Sequence, residues 1–381
     1  MIPSQRHLFD IPENVTYLNC AYMSPLMRQV IDAGLKGLER KARPWNISAD
    51  DFFRGSEELR TVAAKLFHAR ADDIAIIPSA SYGLQTAALN LPIGKGQKIL
   101  VLEEQFPSNI YPWRRLSAET GAEIVTVPWP GDHNWTAAVL ERLKDDVAIA
   151  ALPNVHWTSG GRLDLEKISA VCRRAGTALV LDLTQSLGVY PFDAQQVQPD
   201  FAVAAAYKWL LGPYSTGVMY VAPRWHQGRP LEENWIQRSN ARNFSNLYYT
   251  DQYQEGARRF DMGEHANFGL LPGLRVALEQ LLEWGIGNIS ATIGTLTERI
   301  VRQLDDSGLT AWPDELRAAH YLCLRSKDPL PDGLVDALAA ERVYISLRGT
   351  SLRITPHLYN SEQDVDRLAR ILRESFAATH R

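Results

Sequence analysis

Ala178-Leu179-Val180-Leu181-Asp182-Leu183-Thr184-Gln185-Ser186-Leu187-Gly188, followed by Phe201-Ala202-Val203-Ala204-Ala205-Ala206-Tyr207-Lys208-Trp209, is the stretch whose reading decides the fold. Each segment opens on a continuous apolar run of strand length and closes on a charged residue, Asp182 or Lys208. A strand apolar on both faces belongs inside a mainly parallel sheet covered by helices on either side. Ligands of such sheets lie beyond the carboxyl ends of the strands, where both charged residues sit.

The same grammar extends outward. Ile74–Pro78, Lys98–Leu102, Ile124–Val127, Val147–Leu152 and Gly217–Val221 read as further strands. Val30–Arg43, Phe52–His68, Leu84–Leu91, Ile110–Thr120 and Leu163–Ala175 read as helices between or before them. From Trp225 to Met262 the chain is rich in Arg, Asn, Gln and Tyr without periodicity, and reads as a long functional loop. Beyond it come helices Leu270–Trp284 and Ile289–Leu304, strand Tyr321–Leu324 and helix Leu334–Ala340. Strands Val343–Leu347 and Leu352–Thr355 and helix Ser361–Ala377 close the chain. The expected organisation is α/β: an N-terminal arm over residues 1–15, a large domain with a mainly parallel mixed sheet over 16–255, and a smaller α+β C-terminal domain over 256–381.

The chain has 381 residues, of which 45% are hydrophobic, which suits a large and a smaller core. Its net charge of -4 and lack of a basic stripe argue against a nucleic-acid partner. No apolar h-region opens the sequence and no apolar run has membrane-spanning length, so a cytoplasmic location off the membrane is expected. The 3 cysteines, Cys20, Cys172 and Cys323, show neither a disulfide framework nor metal-ligand spacing.

Asp182 and Lys208 together point to pyridoxal 5′-phosphate (PLP). A carboxylate ending a buried strand is costly unless it has a partner, and a protonated pyridine nitrogen is such a partner. Gln185 lies within reach of the same ring and is placed to donate to its phenolate oxygen. Lys208 stands between aromatic neighbours after an apolar run, where desolvation lowers its pKa and favours a Schiff base. Pro78-Ser79-Ala80-Ser81-Tyr82-Gly83 brings small residues to a helix N-terminus, so Ala80 and Ser81 are candidates for a phosphate cradle. No glycine fingerprint of a nicotinamide or flavin site follows a strand.

The pattern Asp182-x-x-Gln185-Ser186-x-Gly188, then Tyr207-Lys208-Trp209 and the Gly212…Gly217 turn, resembles class V aminotransferases of PLP fold type I. That family includes cysteine desulfurases, kynureninases and isopenicillin N epimerase-like proteins. By this resemblance Phe106 stacks on the ring, and Tyr207 touches the phosphate and relays a proton. Gly263 and Glu264 complete the phosphate site of a partner chain in a homodimer. The family usually has Thr where Glu264 stands. Arg353 grips the substrate carboxylate; His156 and Trp157, with Asn19 and Tyr22 of the entrance loop, border the substrate. The segment Ile345–Thr350 lacks the desulfurase cysteine, which argues against persulfide chemistry.

The resulting expectation is an aminotransferase that takes the amine of a small amino acid onto the cofactor held by Lys208 and passes it to a keto acid. A Cβ lyase of kynureninase or C–S lyase type, or an epimerase, shares its first steps. A non-catalytic PLP-binding protein on the same fold is the remaining alternative.

Overall fold

Successive residues of the central strands enter two different cores. Ile74 and Ile76 pack in one and Ala75 and Ile77 in the other; Leu179 and Leu181 part from Val180 in the same way, and Ala202 and Ala204 from Val203. This is why the strands read as apolar throughout rather than alternating.

The computed structural model describes residues 1–379. It runs β1 (Thr16–Tyr17), α1 (Arg28–Lys41), α2 (Asp51–Phe67), β2 (Ile74–Ile77), α3 (Ala80–Asn90), β3 (Lys98–Leu102), α4 (Tyr111–Thr120) and β4 (Glu123–Val127). Next come α5 (Trp135–Arg142), β5 (Val147–Pro153), α6 (Leu165–Ala175), β6 (Ala178–Asp182), α7 (Ala194–Val197), β7 (Phe201–Ala205) and β8 (Gly217–Val221). The C-terminal part holds α8 (Leu271–Trp284), α9 (Ile286–Gln303), β9 (Leu309–Ala311), β10 (Leu322–Ser326), α10 (Leu334–Ala340), β11 (Val343–Tyr344), β12 (Ser346–Arg348), β13 (Ser351–Ile354) and α11 (Glu362–Thr379).

The large sheet has 7 strands in the order β2-β8-β7-β6-β5-β3-β4. Only β8 runs against its neighbours. Strands β2, β3, β5, β6 and β7 therefore end at one rim, and the segments that follow them converge there. Helix α3 lies close on β7 because Gly83 has no side chain: a Cβ there would stand 2.5 Å from Val203 Cγ1. The small sheet is antiparallel, ordered β12-β13-β10-β9, with its apolar residues in a separate core that includes residues of α9 and α11.

Several readings need correction. Helix α3 begins at Ala80, not Leu84, so Ser81–Gly83 form its first turn; Ser79 caps it through Tyr82 N. The expected strand Val343–Leu347 is two short strands, β11 pairing with β1 and β12 with β13. Helix α5 and strands β1 and β9 went unread, being short and weakly patterned. The stretch 256–284 belongs by its packing with the large sheet: Met262 N bonds to Ile76 O, and Leu271, Leu274 and Leu278 enter a core of that sheet. Conversely, residues 16–19 pair with the C-terminal part, through Thr16↔Val343 and Asn19↔Thr355.

Candidate active site

The rim encloses a cavity of about 280 Å³. Ser79, Ala80 and Ser81 reach it after β2, Phe106 after β3, Trp157 after β5, Asp182 and Gln185 at and beyond the end of β6, and Tyr207 and Lys208 after β7. Eight of the expected residues thus meet in one place: Ala80, Ser81, Phe106, Trp157, Asp182, Gln185, Tyr207 and Lys208.

Lys208 is buried, and its Nζ stands 5.1 Å from the ring centre of Phe106 and 5.4 Å from that of Tyr207. Desolvation pushes its pKa down to about 8, Asp182 opposes the shift, and the charge of Arg353 adds to it. Asp182 is buried and accepts from Thr184 N at 3.0 Å; loss of water raises its pKa. Burial likewise raises the pKa of Tyr207, which keeps the phenol neutral.

Gln185 is held on both sides of its amide. Its Nε2 donates to Ala21 O at 3.2 Å, and its Oε1 accepts from Trp209 Nε1 at 2.9 Å. One amide N–H is left over for the cavity. Gly188 lets this turn close against the next one: it has φ of 93°, and a Cβ would stand 2.7 Å from Trp209 O. Glu104, next to the cavity residue Gln105, and Ser215, on the cavity wall, also take positive φ, of 51° and 64°. Such backbone strain concentrates at functional sites.

Arg353 does not line this cavity but adjoins it. It is 2% exposed; its Nη1 donates to Trp157 O at 3.3 Å and its Nη2 to Ser346 Oγ at 3.1 Å. Ser346 Oγ in turn donates to Asn19 Oδ1 at 2.7 Å, so Asn19 supports the arginine from behind. Tyr22 is 56% exposed and outside the lining. His156 is turned away from the cavity. It is buried, stacks on Trp135 at 4.9 Å, bonds to Glu103 O, Thr158 Oγ1 and Ser159 Oγ, and is pushed down to about 4 by burial. Gly263 and Glu264 lie apart from the cavity of their own chain; Gly263 N donates to Glu232 Oε2, and Glu264 is exposed.

The sequence reading missed Thr184, Tyr214 and Ser215 among the lining residues. Thr184 ties the ends of β6 and β7 together, accepting from Ala205 N at its Oγ1 while its own N–H binds Asp182. Tyr214 packs against Tyr207 with ring centres 4.6 Å apart and planes tilted by 51°, and lies inside the Gly212…Gly217 turn, which was the available signal.

The residues present fit PLP. The buried carboxylate of Asp182 has acceptor capacity beyond its single amide partner, suited to a ring N–H. The first turn of α3 presents free backbone N–H groups to a phosphate, with Ser79 and Ser81 hydroxyls 2.9 Å apart. Phe106 supplies an apolar face opposite the lysine amine.

Comparison with known proteins agrees with this geometry. Residues 16–376 match the family profile described as Aminotransferase class-V. An uncharacterized aminotransferase of Bacillus subtilis (strain 168) is 25% identical, over 96% of this chain and 95% of that protein. A kynureninase of Shouchella clausii is 26% identical, over 97% and 90%. Among solved structures, the apo cysteine desulfurase from Thermococcus onnurineus NA1 superposes with a TM-score of 0.84 at 18% identity, covering 99% of each chain. A C-DES mutant with glycine covalently linked to its PLP cofactor superposes with a TM-score of 0.86 at 21% identity, covering 97% of this chain and 99% of that one. At such identities the structural likeness speaks for the fold.

Proposed function

The chain belongs to the class V aminotransferase family, and from that premise we propose that it is an aminotransferase, moving the amino group of a small amino acid to a keto acid. It is an enzyme, and its cofactor is pyridoxal 5′-phosphate. The chemistry PLP supplies when bound is withdrawal of electrons from the bonds at the α-carbon of an attached amine.

In our reading Lys208 holds the cofactor covalently, and its Nζ carries the proton that leaves the substrate α-carbon. Asp182 keeps a proton on the ring nitrogen, Gln185 donates its remaining amide N–H, and Phe106 covers the ring. The amides of Ala80 and Ser81 take the phosphate, Tyr207 donates to it as a neutral phenol, and Arg353 takes the substrate carboxylate with a planar fork. Trp157 walls the substrate side and Asn19 steadies Arg353 through Ser346.

The observation that carries the proposal is the Lys208–Asp182 pair as the only amine and carboxylate on the cavity wall among the described residues, the other titratable lining groups being the phenols Tyr207 and Tyr214. A single amine base suits a proton shift on one face. A two-base epimerisation would need a second strong base, and transfer of sulfur onto the protein itself a lining cysteine. Cys20, Cys172 and Cys323 are buried outside that lining, each with its thiol pKa pushed up by desolvation. We also read the protein as a cytoplasmic homodimer. Among the described residues no helix is long and apolar enough to cross a membrane. Leu247, Tyr248 and Tyr249 are exposed together in the long loop, an apolar patch suited to a second copy of the chain.

The test is to mix purified holoenzyme with L-amino acids, identify products and follow the cofactor spectrum, and to map the label after borohydride reduction. Label on Lys208, keto-acid product and a sedimentation mass of two chains are expected. Label elsewhere would overturn the site, and products of Cβ cleavage or racemisation would overturn the reaction.

A further inference from the structure

The small sheet has an apolar face and a cationic one. Along β10 and β13, Leu322, Leu324, Leu352 and Ile354 enter the core below. The intervening residues, Cys323, Arg325, Ser351 and Arg353, fall on the opposite face, because side chains alternate along a strand. The register of β12 adds Ser346 and Arg348 to that face: Ser346 lies opposite Arg353, and Arg348 opposite Ser351, which also pairs with Arg325. Arg353 therefore has Arg348 on one side and Arg325 on the other as diagonal neighbours, a spacing of roughly 7–8 Å between such positions.

None of these arginines has a carboxylate partner among the described residues. Arg348 Nη1 donates to Leu347 O at 2.7 Å, Arg353 bonds to Trp157 O and Ser346 Oγ, and Arg325 lies over the Trp129 ring at 4.5 Å. The helices of the same region show the ordinary arrangement, with Arg299 paired to Asp366 and Arg370 to Glu374. Like charges on one sheet face repel, so the arrangement costs stability until an anion arrives. The face turns to the cavity through Arg353, which bonds to the backbone of the cavity residue Trp157. Arg325 is engaged by Trp129, whose amide is held by Glu103 at 2.6 Å, whereas Arg348 is exposed on the edge strand with only a backbone acceptor.

We propose that Arg348, beside Arg353, is a specificity residue that binds a second anionic group, so that the preferred substrate is a dicarboxylic amino acid. This rests on the reading that Arg353 takes the α-carboxylate. The side-chain carboxylate of the substrate then meets Arg348 across the β12–β13 hairpin, on the face that also carries Ser346 and Arg353.

The test uses holoenzyme and unreactive acids in pairs that differ by one carboxylate: succinate against butyrate, and glutarate against valerate, with affinities from calorimetry. At least one diacid should bind roughly tenfold or more tightly than its monoacid, the scale of a charge-assisted hydrogen bond. Arg348→Gln should abolish that excess, and Arg348→Lys should keep part of it, with folding checked by circular dichroism. Diacids that bind no better than monoacids in the unmodified protein, or no detectable binding of any, overturn the proposal without recourse to a variant. So does an excess that survives Arg348→Gln. Monoacid binding that survives Arg353→Met would defeat the α-carboxylate reading on its own, leaving the diacid excess to be judged separately.

Discussion

Arg353→Met should separate function from stability in opposite directions. The guanidinium is 2% exposed, and its Nε has no acceptor. It is held in place by two hydrogen bonds, to Trp157 O and Ser346 Oγ. Losing a buried charge-assisted grip on a carboxylate costs about 2–5 kcal/mol, or roughly 30- to 5,000-fold in kcat/KM for an amino acid. An amine of the same skeleton without the carboxylate should lose far less. The fold, by contrast, should not suffer. Both acceptors that Arg353 vacates keep another partner: Trp157 O accepts from the Tyr321 hydroxyl, and Ser346 Oγ still donates to Asn19 Oδ1. The substitution leaves neither without a partner and removes a buried charge that has no counter-ion among the described residues, so Tm should hold or rise. The assays are steady-state kinetics on the paired substrates and scanning calorimetry with and without PLP. Unchanged amino-acid kinetics, or an equal loss for the amine, would refute the carboxylate role. A clear fall in Tm would refute the charge argument.

Other expectations follow from the buried groups. Asp182→Asn keeps shape and the Thr184 N contact and should leave the fold intact. It should lower turnover about 10²–10⁴-fold while retaining Lys208 labelling by borohydride, and near-normal turnover would move the ring-nitrogen partner elsewhere. His156, His320 and His357 are pushed down by burial to about 4, 4 and 3, below the ordinary value in the unfolded chain. The unfolded state therefore binds more protons as pH falls below about 6.5, so this stability is fully present above that pH and is lost below it, by at most about 1.4 kcal/mol per pH unit for each histidine. Urea midpoints should fall from pH 7 to pH 5; a flat profile would show that these rings do not stay neutral.

The sequence displayed the large sheet because burial on both faces leaves a signal that needs no partner: four apolar residues before Asp182 and six before Tyr207 and Lys208. It displayed the cavity floor for the same reason, since polar residues directly after such runs must stand at the rim. His156 shows where this logic stops. It too follows an apolar strand, yet the turn after β5 directs its ring to Trp135 and Trp129, and only Trp157 reaches the cavity. Which of two adjacent residues points inward depends on loop torsions, and composition does not encode them. The packing of the long loop was hidden in the same way. Its loss of periodicity at 225–262 gives no sign that Phe260 and Met262 are buried in the cores of the large sheet, with Gln237 Nε2 donating to Asp261 O and Met262 N to Ile76 O. Ser346 was invisible because its role comes from cross-strand register with Arg353, which a single strand does not reveal.

What lies behind the lysine explains how its charge is set. Cys20 Sγ rests 3.8 Å from Lys208 O, and burial holds the thiol and the nearby Tyr359 phenol protonated. Trp209 meets His320 edge-on at 4.6 Å and His357 in a tilted contact at 6.0 Å, and burial pushes both rings toward the neutral form. Burial thus favours the uncharged form of each, which leaves Asp182 and Arg353 as the charges that act most strongly on Lys208. Desolvation and Arg353 favour the free amine, and among these groups Asp182 favours the ammonium. Asp182 is also the carboxylate with acceptor capacity to offer the cavity. In the proposed reading the ring nitrogen of the cofactor would take that capacity, and the amine, when released from the cofactor, would feel burial and Arg353, both of which favour its neutral form. On that reading one buried carboxylate would both hold the cofactor and bias the protonation of the amine beside it.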